Sequence, residues 1–228
     1  MILHQIKRLA NLSEHPHLAL KYVLIFGIVL GQNLYAADNA IEPEGARYAG
    51  LIPGARLTYE VKFTVTGRFT MPPQIGKVVE TIDDEKQLGD HRYFQIRTES
   101  SGFENLPDRK YYQRVAEDAV RSFNDGMDPS TEYILIPLPP TEGRTWSIED
   151  GEDTWHYRLE NSGSIETPAG RFEDCIAVAM KLESQTSKFD IVVRNIYCAG
   201  IGKVHMRSEA KYKHGTSITE TTLQSFSQ

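Results

Sequence analysis

This chain is short of the features that usually announce an activity. Its 228 residues hold two cysteines and two tryptophans. There is no Gly-x-Ser-x-Gly elbow, no His-Glu-x-x-His, no phosphate-cradling glycine loop and no dinucleotide fingerprint. That removes the hydrolase, metalloprotease, nucleotide-binding and Rossmann signatures, and the reading is a non-enzymatic protein without a cofactor. Excess positive charge is also missing. The net charge is −6, which argues against a nucleic-acid partner, since such binding is driven by neutralising phosphates. Hydrophobic runs are short as well. The longest, Tyr22–Leu30, falls well below the roughly 20 apolar residues that a membrane span needs.

That run nevertheless has a meaning. Lys7, Arg8 and Lys21 precede it and small residues follow, ending in Ala36-Ala37. A basic segment, a short apolar core and small residues form the secretory signal pattern. Residues 1–36 are therefore read as a signal peptide, 37–50 as a flexible lead-in and 51–228 as one β domain. The alternative for the first segment is a retained N-terminal anchor. Cleavage after Ala36 removes three cations and one anion, leaving a mature chain at −8 with no integral membrane span. Its expected location is periplasmic or secreted.

Export gives the cysteines a context. An even pair in an oxidising compartment reads as a disulfide, here Cys175–Cys198. The flanking sequence tests that pairing. If Cys175 faces Cys198 on antiparallel neighbours, Ile176 meets Tyr197, Met180 meets Val193 and Leu182 meets Ile191. The apolar faces coincide, with Val178 opposite Asn195 as the exception. A slip of one residue would scramble both faces.

Period-two alternation recurs along the mature chain. Leu57, Tyr59, Val61, Phe63 and Val65 alternate with polar residues, and Trp155, Tyr157 and Leu159 form a second apolar face. Further strands are expected over 77–83, 92–99, 110–115, 119–123, 132–136, 154–160, 204–212 and 217–226. Short strands with turn signals between them predict an all-β domain, a curved antiparallel meander or half-barrel. Whether it closes into a barrel is not legible.

Three segments punctuate the second half: Leu138-Pro139-Pro140-Thr141-Glu142-Gly143-Arg144-Thr145-Trp146, Thr167-Pro168-Ala169-Gly170-Arg171-Phe172-Glu173-Asp174-Cys175 and Tyr197-Cys198-Ala199-Gly200-Ile201-Gly202-Lys203-Val204. In this order they resemble a group of exported bacterial β-rich proteins and lipoproteins of uncharacterised function. Some of these look like distant relatives of the lipoprotein-carrier (LolA/LolB-like) fold, a curved sheet whose concave side holds acyl chains. The resemblance implies a non-catalytic binding role, with an apolar small molecule or an envelope protein as partner.

Candidate binding residues follow from apolar side chains in unusual places. Phe69, Met71 and Ile75 lie in a stretch read as a loop, and Phe103 lies in another. Each set either caps the core or forms the lip of a site. Tyr59, Phe63, Trp155 and Tyr157 would line a cavity if the sheet encloses one. No metal site is expected. The acidic runs Glu149–Asp153 and Asn124–Asp128 read as solvated hairpin turns, and His156 should face solvent. The rival functions are a structural subunit of an envelope or secretion assembly pairing through a sheet edge, and a hydrolase with an unrecognised site.

Overall fold

A computed structural model describes residues 43–68, 70–103, 107–184 and 189–228. The signal segment, the first part of the lead-in, Phe69 and part of the Phe103 loop lie outside the described residues. No helix among the described residues is long and apolar enough to cross a membrane.

Twelve strands form one antiparallel sheet. They are β1 (Arg56–Gly67), β2 (Met71–Leu88), β3 (His91–Ser101), β4 (Arg109–Val115), β5 (Ala119–Asn124) and β6 (Tyr133–Pro137), then β7 (Thr145–Asp150), β8 (Asp153–Thr167), β9 (Gly170–Ser184), β10 (Asp190–Cys198), β11 (Gly202–Tyr212) and β12 (Gly215–Ser227). The spatial order runs from β6 down to β1, across to β12, and on down to β7. The first and last strands pair along their whole length, from Arg56↔Ser227 to Gly67↔Gly215. That ladder turns two meanders into a nearly closed barrel, with its seam between β6 and β7. The Trp146 indole crosses the seam and donates to the Ile134 carbonyl at 3.3 Å.

The expected strands are all present. The strand launched after Gly143, β7, had no bounds in the sequence, because its apolar members Trp146 and Ile148 are too few to show a period. The stretch 71–76, read as loop, belongs to β2. Its two prolines are tolerated because this end of β2 pairs with β1 alone and the β3 ladder begins at Lys77. The disulfide forms in the expected register, with Cys198↔Cys175, Tyr197↔Ile176 and Val193↔Met180 as partners.

Alternation separates the two faces. Leu57, Tyr59, Val61 and Phe63 are buried inside while Arg56, Glu60 and Lys62 face out. The outer wall carries ion pairs such as Arg207–Glu220 at 2.7 Å, Arg194–Glu160 at 3.1 Å and the twofold Arg97–Asp83 contact at 2.8 Å. A barrel facing lipid carries an apolar outer band; this wall is built for water.

The two ends differ. At the base, Ala46, Ala49, Leu51 and Ala55 fill the opening and are all buried. The Tyr48 hydroxyl and the Arg47 guanidinium both bind the Asp174 carboxylate, and Gly200 N–H donates to the Arg47 carbonyl. Asp174 itself sits at φ 55, a left-handed conformation that Asp tolerates better than most residues. The tip of the β8–β9 hairpin also folds over the base, where Ala169 N–H reaches the Leu223 carbonyl at 3.4 Å. All three punctuating segments of the sequence are turns at this end. The opposite end, called the rim here, carries the connections 67–71, 101–109, 124–133, 150–153, 184–190 and 212–215.

The disulfide ties two strands next to the base across a sequence separation of 23. Replacing both cysteines by serine should cost about 3 kcal/mol, the chain-entropy value for a loop of this size. Urea unfolding of the oxidised wild type and the double variant measures it, and equal midpoints would show the bridge to be dispensable.

Candidate functional site

Among the buried polar residues of the inner face, one pair carries opposite charges. Glu80 on β2 and Lys203 on β11 meet with Nζ–Oε1 at 3.2 Å, each only 1% exposed. Lys203 enters from the tight β10–β11 turn, where Gly202 adopts φ 84. Its ammonium lies 5.3 Å from the centre of the Tyr59 ring, and the Tyr59 hydroxyl donates to the Lys203 carbonyl at 3.0 Å. The hydroxyls of Tyr111 and Tyr197 are buried nearby without a hydrogen bond of good geometry. Burial pushes the Glu80 carboxyl above its ordinary range, and Lys203 draws it partly back. Burial also holds the phenols of Tyr59, Tyr111 and Tyr197 well above the usual tyrosine value. The pair links β2 to β11 across the inner faces of β1 and β12. It is a buried anchor, and neither of the two clefts on the molecule's outside touches it.

Those clefts lie on the outside. One, of about 530 Å³, runs between Pro43–Tyr48 and Pro139–Thr141. Another, of about 540 Å³, lies beside Pro53, Gly54 and Thr81–Lys86.

The sequence candidates fall into two groups. Tyr59, Trp155 and Tyr157 join the main core, where Tyr157 stacks on Trp146 at 5.1 Å. Phe63 belongs to a second, smaller cluster with Val61 and Val78, against which Val65, Met71 and Phe103 pack. The two apolar connections thus converge at the rim. Phe103 reaches inward because Gly76 leaves it room: a Cβ on Gly76 would sit 2.1 Å from a carbon of the Phe103 ring. Ile75, by contrast, points outward and is 59% exposed.

The outer wall holds one arrangement with catalytic overtones. Ser147 Oγ lies 3.0 Å from His156 Nδ1, and His156 Nε2 lies 2.8 Å from Glu183 Oε2. His156 faces solvent as expected, and Glu183 is more exposed still. The three sit on the flat outer face of β7–β9, where backbone N–H groups are committed to the sheet ladder and cannot serve as an oxyanion hole. Neither cleft touches them. The arrangement is a surface hydrogen-bond relay.

Sequence reading did not single out Glu80 and Lys203 as a pair, and it put Asp153 in a solvated turn, whereas Asp153 is buried. A signal was available for Glu80, which occupies an inward position between Val78 and Ile82 in the β2 alternation.

No family model matches the chain, and no curated protein matches it. Among solved structures it is similar to a presumed exported protein of Bacteroides fragilis with a YmcC-like fold, at 13% identity and a TM-score of 0.44, over 82% of this chain and 98% of that one. A presumed lipoprotein of Parabacteroides distasonis is similar at 13% identity and a TM-score of 0.42, over 82% and 100% of the two chains. Likeness at this level carries nothing about function.

Removing one partner of a buried ion pair strands the other. Lys203→Met should therefore cost about 3–5 kcal/mol, while Glu80→Leu with Lys203→Met should recover most of the loss. Denaturant midpoints of the single and double variants decide it. A double variant as weak as the single would mean that the pair itself, rather than the stranded charge, holds the strands.

Proposed function

We propose that this chain is an exported, non-catalytic protein of a bacterial cell envelope whose rim binds an apolar, lipid-like ligand. The observation that carries the reading is the cluster of Phe63, Met71 and Phe103, set apart from the main core and fed by two rim connections. A domain that needed these side chains only for stability could have merged them with its core. Here Phe63 lies buried at the end opposite the base, with half-buried Met71 and Phe103 packed against it, while the base is filled by its own chain. The leader segment, the cysteine pair and the resemblance to exported β-rich proteins support the location. A binding surface at the rim leaves the buried Glu80–Lys203 anchor undisturbed.

A second reading has its own observation. β6 and β7 each carry one unpaired edge, and the Trp146–Ile134 hydrogen bond across the seam is a side-chain contact rather than a ladder. An assembly partner could add strands there. The seam would accept a two-stranded hairpin with every pairing antiparallel. The outward residues of β7 (Thr145, Ser147 and Glu149) are polar or charged and blunt that edge, so the rim reading is preferred.

Titrating the delipidated mature chain with the fluorescent fatty acid cis-parinaric acid tests the rim. Binding is expected in the wild type, and Phe103→Ala should weaken it about tenfold, which corresponds to about 1.4 kcal/mol. The thermal midpoint of the variant should stay close to that of the wild type, because Phe103 is only half-buried. No binding up to the solubility limit of the probe would sink the proposal.

A further inference from the structure

The inner face of β12 carries hydroxyls where the neighbouring strand carries hydrocarbon. Ser217, Thr219 and Thr221 pair with Val65, Phe63 and Val61 of β1, so they share that inward face. They are 2%, 0% and 2% exposed, and none of the three hydroxyls has a hydrogen-bond partner among the described residues. Other inward hydroxyls do find one. Ser122 Oγ donates to the Tyr112 carbonyl at 3.1 Å, and the Tyr59 hydroxyl to the Lys203 carbonyl at 3.0 Å. Valine would fill the threonine positions with the same shape and no polar group, as Val61 and Val65 do on β1. A buried hydroxyl without a partner is costly, so three along one strand call for something to bond.

Spacing and volume narrow what that is. Inward neighbours on a strand stand about 6.7 Å apart, too far for one hydroxyl to reach the next. A water molecule about 2.8 Å from each of two hydroxyls spans most of that distance. On β11 the partners of Ser217 and Thr219 are Ala210 and Ser208, so four small side chains meet on two adjacent strands and leave room beside them. No charged side chain is among these residues or their β1 partners, and a hydroxyl both donates and accepts, as water does. The stripe also lies between Val61 and Phe63 of the smaller cluster on β1 and Met206 and Ala210 of the main core on β11, which accounts for the separation of the two clusters. We propose that the inner face of β12 is a hydration site holding a file of about two internal waters, one bridging Ser217 to Thr219 and one bridging Thr219 to Thr221. Its occupancy needs nothing bound at the rim, so the site is independent of the ligand proposed above.

Oxygen-17 relaxation dispersion of the solvent counts waters held inside a protein and is blind to the exchange of hydroxyl protons. On the delipidated mature chain its amplitude should fall by about two waters when Thr219→Val and Thr221→Val are combined. Thr219→Val alone should also lower the urea midpoint, by about 0.5 M, because it keeps the shape and removes the group to which both waters are bonded. Equal dispersion amplitudes in the wild type and the double variant would mean that no water sits on these hydroxyls. A midpoint raised by Thr219→Val would mean a dry hydroxyl whose removal is a gain. Either result overturns the site.

Discussion

The ladder between β1 and β12 is the constraint on which the rest of this structure depends. It joins strands from the two ends of the domain and is the pairing of greatest sequence separation. Every other neighbour in the sheet is a hairpin partner. Hairpins form locally, but each half of the meander alone is a twisted ribbon with one wet and one greasy face. Only when β1 meets β12 do the two inner faces oppose each other and exclude water. The same closure decides where the barrel remains open, because β6 and β7 are then the strands left over. Their seam is bridged by the Trp146 side chain, and the connection between them is steadied by Arg144 Nη1 bonding the Leu138 carbonyl.

Closure also explains how the interior tolerates charge. Glu80 and Lys203 sit on strands separated by β1 and β12, so they meet only once that ladder is made. A buried ion pair is weak evidence for stability, since desolvation consumes most of the attraction. Its better use is discrimination. A register slip between β1 and β12 would leave both charges stranded in an apolar interior, a far larger penalty than a few misplaced methyl groups. The pair therefore penalises wrong closures more than it favours the right one.

Much of this architecture was legible because alternation is a local property. Leu57–Val65 could be read from residues two positions apart, and the β9–β10 register and cysteine pairing from one hairpin closed across 23 residues. The base was legible in part: Gly143 and Gly170 marked turns, yet nothing local shows that these turns gather at one end with Ala46–Ala55. That convergence follows from strand direction, which alternates once every element is counted. Missing β7 alone would have inverted the direction of every strand before or after it. The burial of Asp153 was hidden for a related reason. Composition says that an acidic glycine turn belongs in water. Its inward direction comes from Trp155 and Tyr157 on the same strand, whose apolar parity extends to Asp153 if followed one step further.

The two ends of the barrel differ in how well their groups are satisfied. At the base, polar groups are satisfied: Asp174 accepts from Arg47 and Tyr48, and Ala199, Gly200 and Ala169 N–H groups find carbonyls. At the rim, apolar side chains leave the main core and a buried carboxylate goes without a described partner. Folding alone favours the arrangement at the base and penalises the arrangement at the rim. A sequence that keeps a buried charge at the same end of the barrel as a separate apolar cluster gives up stability at that end. Such a concession is expected where a surface must recognise something other than its own chain.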